Sequence, residues 1–291
     1  MHRGSKKGKK GKKGGLFALF ALFALFASPS LAQQNLPAPL EKLYAKGIEA
    51  LKSGDLETAE KTFSEALRQG GKHPLVYYNL GVISQQRGDH RQAVAHFRAA
   101  GRLLPNHGPS RLLIGSSLLA LGKNAEAVRE LKRAVNLLPE EPQARLLLAR
   151  AYEVSGDPLA AVKEYQKLAG LGPREEEYAY QLGRAYLKLS EWCYQQIARL
   201  DPDSARLRQS LGQEYLFQGK YELAIEAYQQ AARSDPELPE IHLALALIYL
   251  ELKKYDDAMV EIELELKLVP ESKTAQETKK KIEAAKAASS Q

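Results

Sequence analysis

The chain has 291 residues, of which 44% are hydrophobic and 26% charged, a composition that is typical of a folded protein and excludes disorder throughout. Its formal net charge is +7, but seven lysines and arginines lie within residues 1–32 without any acidic residue, so the remainder is neutral. A neutral body has no overall positive field, which argues against nucleic acid as a partner.

Residues 1–32 have the three parts of a secretory signal peptide. A basic stretch precedes an apolar run from Leu16 to Ala27, and small residues end at Ala32. The run is too short to span a hydrocarbon core, which needs roughly 20 apolar residues. We expect export to the periplasm or the secreted space, with cleavage after Ala32 and no stable membrane span afterwards. The alternative is an uncleaved segment that acts as an anchor. Residues 33–39 are a short linker.

A fixed period runs through the rest of the chain. Prolines recur at one constant step in two groups, Pro105, Pro139 and Pro173, then Pro202, Pro236 and Pro270. A small residue keeps the same step, at Gly81, Gly115, Ala149 and Gly183, then Gly212 and Ala246. A large residue follows 16 positions later, at Phe97, Leu131, Tyr165, Tyr228 and Ile262. This pattern predicts helical hairpins, in which the small residue lets two helices approach closely and proline ends the second helix.

These positions resemble the tetratricopeptide repeat family over most of residues 40–270. The resemblance implies an all-α fold, a right-handed superhelical solenoid of antiparallel helix pairs. It places repeats 1–4 in residues 40–173, an atypical shortened repeat 5 in residues 174–204 and repeats 6–7 in residues 205–270. Residues 271–291 are expected to form a capping helix with a frayed tail.

The period breaks in the fifth repeat. The step from Gly183 to Gly212 is shorter by five positions than the step from Gly81 to Gly115. Counting back from Pro202 puts Tyr194 at the large position of the second helix, which places the gap at the turn between the two helices. One interpretation is a continuous helix over roughly residues 178–199, which would split the array into a larger N-terminal and a smaller C-terminal block. The other is a tight kink at Ser190.

No residue pattern in the chain indicates catalytic chemistry. The histidines are scattered without the HExxH spacing of a zinc site, and no glycine-rich loop or nucleophile motif follows a strand. We therefore expect a protein that is not an enzyme, with no metal and no cofactor. The one cysteine, Cys193, has no partner for an internal disulfide, and we expect it to be a small buried apolar residue.

The family resemblance also implies a function. In the family the first helices of the hairpins line a concave groove that binds a protein or an extended peptide. The arginines of this groove favour a partner with an acidic group. The alternative is a structural or assembly subunit of an envelope complex, or self-association through the convex face. Carrying the inward positions over gives Tyr44, Tyr78, Asn79, Val82, Leu112, Ser116, Leu146, Arg150, Tyr180, Arg184, Gln209 and Gln213.

Overall fold

A computed structural model describes residues 37–70 and 72–289. The expected signal peptide and most of the expected linker lie outside these residues. The described residues contain fourteen helices and no strand. The predicted fold class, an all-α solenoid of helical repeats, is confirmed. The chain forms two compact units that divide between Leu189 and Ser190.

Unit 1 ends at Leu189, and its described residues form four helical hairpins and the first half of a long helix. Consecutive helices of each hairpin pack against one another. The hairpin helices are α1 (Ala38–Lys52), α2 (Leu56–Arg68), α3 (Pro74–Gln86), α4 (His90–Leu103), α5 (Gly108–Ala120), α6 (Asn124–Leu137), α7 (Pro142–Val154) and α8 (Pro158–Leu171).

A glycine in the left-handed region ends the first helix of each of these hairpins, with φ between 69° and 80° at Gly54, Gly88, Gly122 and Gly156. Residues with a β-carbon seldom adopt this conformation, and it reverses the chain within one short turn. An aspartate then begins the second helix in three of the four hairpins. The carboxylate of Asp89, for example, accepts a hydrogen bond from the backbone nitrogen of Gln92 at 2.9 Å, which stabilises the helix start.

Inside each hairpin the small residue of the first helix faces the large residue of the second. A β-carbon added to Gly47 would lie 2.7 Å from the ring of Phe63. Phe63, Phe97, Leu131 and Tyr165 are all 1% exposed or less. The spacing seen in the sequence is therefore the spacing of the buried contact that holds each hairpin together.

Helix α9 (Glu176–Leu200) is a single helix of 25 residues. This confirms the continuous helix and excludes the kink at Ser190. The helix is about 37 Å long at 1.5 Å per residue, and with no turn its two halves cannot fold back on one another. Cys193 is exposed, so the expectation that it is buried was wrong. In the regular hairpins the second helix is covered by its own first helix, and among the described residues nothing covers the second half of α9 in this way.

Unit 2 begins at Ser190 and contains two more hairpins and a final helix. Its core includes Tyr228, Leu245 and Ile262. The last helix is the predicted cap, since its Ala275, Thr278 and Ile282 are buried. The helices after α9 are α10 (Ala205–Phe217), α11 (Tyr221–Ser234), α12 (Ile241–Glu251), α13 (Tyr255–Leu268) and α14 (Lys273–Ser289).

Candidate partner-binding surface

The predicted groove residues lie on the first helices of the repeats. All but Asn79 occupy two positions, one located three before the small residue and one directly after it. These positions are about one turn apart and share a helix face. Ten of the twelve residues belong to unit 1, on α1, α3, α5, α7 and the first half of α9, and Gln209 and Gln213 belong to unit 2.

Four of these residues are core residues. Tyr78, Asn79, Val82 and Leu112 are each 5% exposed or less. The ring of Tyr78 packs against Phe97 with the ring centroids 5.7 Å apart. These four side chains pack inside the solenoid, and almost none of their surface is accessible to a partner in this structure.

Tyr44 and Asn79 connect the first two repeats. The side-chain nitrogen of Asn79 donates to the hydroxyl of Tyr44 at 3.2 Å and to the carbonyl of Leu75 at 2.8 Å. Burial raises the pKa of Tyr44, and the hydrogen bond from Asn79 opposes that rise. Tyr44 remains half-buried, so part of its side chain is accessible at the start of the predicted groove.

Ser116 and Leu146 are half-buried residues of the next two first helices. The Oγ of Ser116 accepts a hydrogen bond from Gln85 of the preceding first helix at 3.4 Å. Leu146 packs against the core around Tyr165. Both side chains are therefore held by their neighbours, with part of each exposed.

Arg150 and Arg184 occupy equivalent positions on α7 and α9, directly after the small residue. Arg150 is half-exposed and Arg184 exposed. The guanidinium of Arg184 lies over the ring of Tyr180, 5.9 Å from its centroid, and donates to the amide oxygen of Gln181 at 3.2 Å. Within residues 37–70 and 72–289, neither arginine forms an ion pair with a carboxylate.

A polar cluster lies beside the two arginines. Glu153 accepts a hydrogen bond from the hydroxyl of Tyr165 at 3.3 Å and pairs with Lys188 at 2.9 Å. Burial raises the pKa of Tyr165 to about 12, and the negative charge of Glu153 contributes to the rise. The positive charges of Arg150 and Arg184 both oppose it. Arg150 and Arg184 are 34 residues apart, which is one repeat, and residues one repeat apart are neighbours in a solenoid.

Glu153 and Lys188 are absent from the predicted set. Their separation along the chain is one position more than the repeat period, and they lie on successive first helices. This spacing is the signal that would have found them, because residues one repeat apart are neighbours in a solenoid.

Unit 2 has its own cleft, of about 430 Å³. Gln209 and Gln213 line it together with Tyr194 and Ile197 from the second half of α9 and Tyr228 from α11. Arg206 and Glu240 place one positive and one negative side chain on its wall. The two glutamines belong to the predicted groove, and the other residues of this cleft do not.

The described part of the chain contains no cluster of three or more His, Cys, Asp or Glu side chains that could hold a metal ion. None of the helices within residues 37–70 and 72–289 combines the length and the apolar character that a membrane crossing requires.

A family model described as tetratricopeptide repeat matches the chain three times, at residues 44–107, 112–176 and 210–273. Together these segments cover more than half of the chain. The chain belongs to the tetratricopeptide repeat family. No curated protein matched the sequence.

Among solved structures, this tetratricopeptide repeat protein is similar to a tetratricopeptide repeat protein from Parabacteroides merdae, with 16% identity, a TM-score of 0.48, and coverage of 84% of this chain and 99% of that one. It is also similar to MamA from Desulfovibrio magneticus, with 20% identity, a TM-score of 0.45, and coverage of 69% and 98%. A third is YrrB, whose structure is described as having an unusual peptide-binding site, with 15% identity, a TM-score of 0.39, and coverage of 75% and 97%.

The family model leaves one long internal stretch of the tetratricopeptide repeat array unmatched, residues 177–209. This stretch contains nearly all of α9. The family pattern expects a turn between the two helices of a repeat, and the continuous helix has none. The departure from the family is therefore concentrated in one structural element.

Proposed function

We propose that this tetratricopeptide repeat protein is a non-catalytic scaffold that binds a protein or an extended peptide through the first helices of unit 1. Arg150 and Arg184 contact an acidic group of the partner, and the half-buried Tyr44, Ser116 and Leu146 contribute to the surface before them. The observation that carries the proposal is the pair of accessible arginines, which have no carboxylate partner within the described residues.

Other arginines in unit 1 form ion pairs within the chain. Arg111 pairs with Glu130 at 2.8 Å, and Arg145 pairs with Glu164 at 3.3 Å. Both of these arginines also lie on first helices, and both are largely covered, with side chains 21% and 14% exposed. Arg150 and Arg184 differ from them in exposure and in lacking such a partner, which supports a role in recognition rather than in packing.

A peptide array tests the proposal directly. The purified chain is applied to extended peptides that pair an apolar segment with an aspartate or glutamate, and to the same peptides with the amide in place of the acid. We expect retention of the acidic set. The double variant Arg150→Glu/Arg184→Glu should lose this retention, because it turns two attractive contacts into repulsive ones.

The matched control is Arg91→Glu/Arg129→Glu, which changes the net charge by the same amount at two exposed positions on second helices. The control should bind as the unaltered chain does. The proposal fails if the unaltered chain retains no acidic peptide, or if both double variants bind equally well.

We also propose that the protein functions in the cell envelope or the secreted space. The support is the signal-peptide pattern of residues 1–32. Intact-mass measurement on protein recovered from the periplasm of a Gram-negative host tests this, with Gln33 as the expected first residue. Recovery of the chain only from the cytoplasm, with residues 1–32 attached, would contradict it.

A further inference from the structure

One glycine of the repeat pattern lacks the contact that the others make. A β-carbon placed on Gly47, Gly81, Gly115 or Gly212 would come within 3.0 Å of the large side chain on the second helix of the same hairpin. Gly183 occupies the same repeat position, and the same construction finds no atom within 4 Å. The first half of α9 therefore has an uncovered small residue, Gly183, on which a large side chain could pack. We call this position the socket.

The side chain that should fill this socket is on the same helix. Tyr194 holds the large position of the fifth repeat, and it is 41% exposed, whereas Phe63, Phe97, Leu131 and Tyr228 are 4% exposed or less. Because α9 is continuous, Gly183 and Tyr194 are about 16 Å apart along its axis, at 1.5 Å per residue. The socket and the side chain that fits it cannot meet within one chain.

Both belong to one seam along α9, which we define as Tyr180, Gly183, Leu187, Ser190, Tyr194 and Ile197. The spacing between successive residues alternates between three and four, which is the spacing of a coiled-coil contact. Tyr180 is 59% exposed and Leu187 is 73% exposed. The opposite face of the first half of the helix is occupied, since Leu182, Ala185 and Leu189 pack against the preceding hairpin.

We propose that a second copy of this chain binds this seam, with the two α9 helices antiparallel and a two-fold axis between Lys188 and Leu189. Tyr194 of each copy then packs on Gly183 of the other. In the same register Leu187 lies opposite Ser190, and Tyr180 lies opposite Ile197. The first half of α9 in one copy and the second half in the other reconstitute the fifth hairpin, twice per dimer.

The order of residues along the seam makes it complementary to the same seam on a second copy of the chain. When it is laid antiparallel on itself, every pair combines a large side chain with a smaller one, as the regular hairpins of this chain do. No seam residue is charged, so burial leaves no unpaired charge. An unrelated helix would need to reproduce this order, whereas a second copy supplies it by symmetry.

In a regular array the first helix of the fifth repeat would lie beside α10. The cleft in unit 2 occupies that place. Tyr194 and Ile197 form one wall, and Gln209 and Gln213 form another. In the third repeat the residues equivalent to these glutamines are Leu112 and Ser116. Leu112 is buried, and Ser116 accepts a hydrogen bond from Gln85 of the preceding first helix. The first half of the partner's α9 supplies the equivalent helix beside α10.

Sedimentation equilibrium of the purified chain and one matched pair of variants tests the proposal. A β-carbon at Gly183 has no atom of the described residues within 4 Å, so Gly183→Leu is accommodated on this open helix face of a single chain but collides with the partner's Tyr194. We therefore expect Gly183→Leu to weaken a dimer of the unaltered chain by roughly tenfold or more. Gly170→Leu, at an exposed helical glycine that also faces open space, should leave the dimer unchanged. A monomeric unaltered chain, or a dimer that both variants leave intact, would overturn the proposal.

Disulfide trapping tests the antiparallel register. With Cys193→Ser, cysteines introduced together by Gly183→Cys and Tyr194→Cys are too far apart along one helix to bridge within a chain, since a disulfide needs Cα atoms within about 7 Å. Oxidation should give covalent dimers. Each single-cysteine variant should remain uncrosslinked, because the axis keeps identical positions about 16 Å apart. Crosslinking by a single variant would indicate a parallel arrangement and overturn the register.

Discussion

Gly81 and Phe97 are in such close contact that a β-carbon on the glycine would lie 2.6 Å from the phenylalanine ring. The contact joins the two helices of one hairpin, and the ring is fully buried. The glycine is therefore required for the approach of two helices rather than for a turn. Gly183 occupies the same repeat position, but none of the described residues comes within 4 Å of a β-carbon placed on it.

Replacing glycine by alanine should therefore change the free energy of unfolding in opposite directions at Gly81 and Gly183. Gly81→Ala should lower the free energy of unfolding by about 1–3 kcal/mol, because the buried ring must move. Gly183→Ala should raise it by up to about 1 kcal/mol, because alanine has the higher helix propensity and meets no neighbour. Urea denaturation of dilute, monomeric protein measures both, and equal effects of the two variants would contradict the assignment of the socket.

The ion pairs of unit 1 should contribute to the free energy of unfolding according to how deeply they are buried. Glu164 and Arg145 have side chains 11% and 14% exposed, so Glu164→Gln should cost about 1–3 kcal/mol by leaving the arginine without its charged partner. The pair Glu57–Lys61 is shorter, 2.8 Å against 3.3 Å, but about three quarters exposed. Glu57→Gln should leave the denaturation midpoint unchanged. A larger effect at Glu57 than at Glu164 would refute this ranking.

The phenol of Tyr165 should report on the two arginines. Its pKa is raised to about 12, and Arg150 and Arg184 oppose that rise. Arg150→Gln and Arg184→Gln should therefore raise the pKa of Tyr165 further, and Glu153→Gln should lower it. NMR titration of labelled tyrosine rings measures these shifts. No response to either arginine would show that the two charges do not act on this phenol.

The same pKa predicts a dependence of stability on pH. An unfolded tyrosine titrates near pH 10, so between about pH 10 and 12 the unfolded chain loses this proton and the folded one keeps it. The contribution of Tyr165 to stability is therefore complete below pH 10 and is lost as the pH rises through its folded pKa. Tyr165→Phe should lessen the alkaline loss of stability, which urea denaturation at pH 8 and pH 11 would reveal.

Restoring the missing turn should close the fifth hairpin within one chain. A copy of Ser155–Leu159, inserted between Lys188 and Leu189, gives Gly183 and Tyr194 the same separation along the chain as Gly81 and Phe97. Tyr194 can then pack on Gly183 of its own chain, and no seam remains for a second copy. We expect this variant to be a monomer. Cys193 is exposed in the unaltered chain, and in the variant it should react more slowly with a thiol reagent. Unchanged thiol reactivity would argue that the hairpin has not formed.

The repeat pattern predicted the helices well because helical hairpins are specified locally. The residues that end a helix, such as Gly88 and Asp89, are adjacent in the sequence, and the contact between small and large residues has a fixed spacing. The same spacing showed that the fifth repeat is five residues short, but it left a continuous helix and a kink at Ser190 as alternatives, and the structure decided for the continuous helix.

The binding surface was less predictable. Family positions placed Tyr78, Asn79, Val82 and Leu112 on the groove, and the structure buries all four. Their exposure depends on the side chains of the helices that pack on them, as Phe97 packs on Tyr78, and the helix pattern alone does not give these contacts. The cluster of Glu153, Tyr165 and Lys188 was not predicted for a related reason, because its members come from three helices.

The sequence alone determined that this chain is an array of helical hairpins and that the fifth repeat is five residues short, because helix period and chain reversal depend on residues within one repeat. Only the tertiary structure decided which helix faces are covered. It buried four positions of the predicted groove, left Arg150 and Arg184 accessible, and exposed Gly183 and Tyr194 on α9. A helix face is covered only when another helix lies close enough to pack on it. In a regular hairpin the two helices cover each other. The two halves of α9 take the places of these two helices, but they form one continuous helix and cannot fold back on each other.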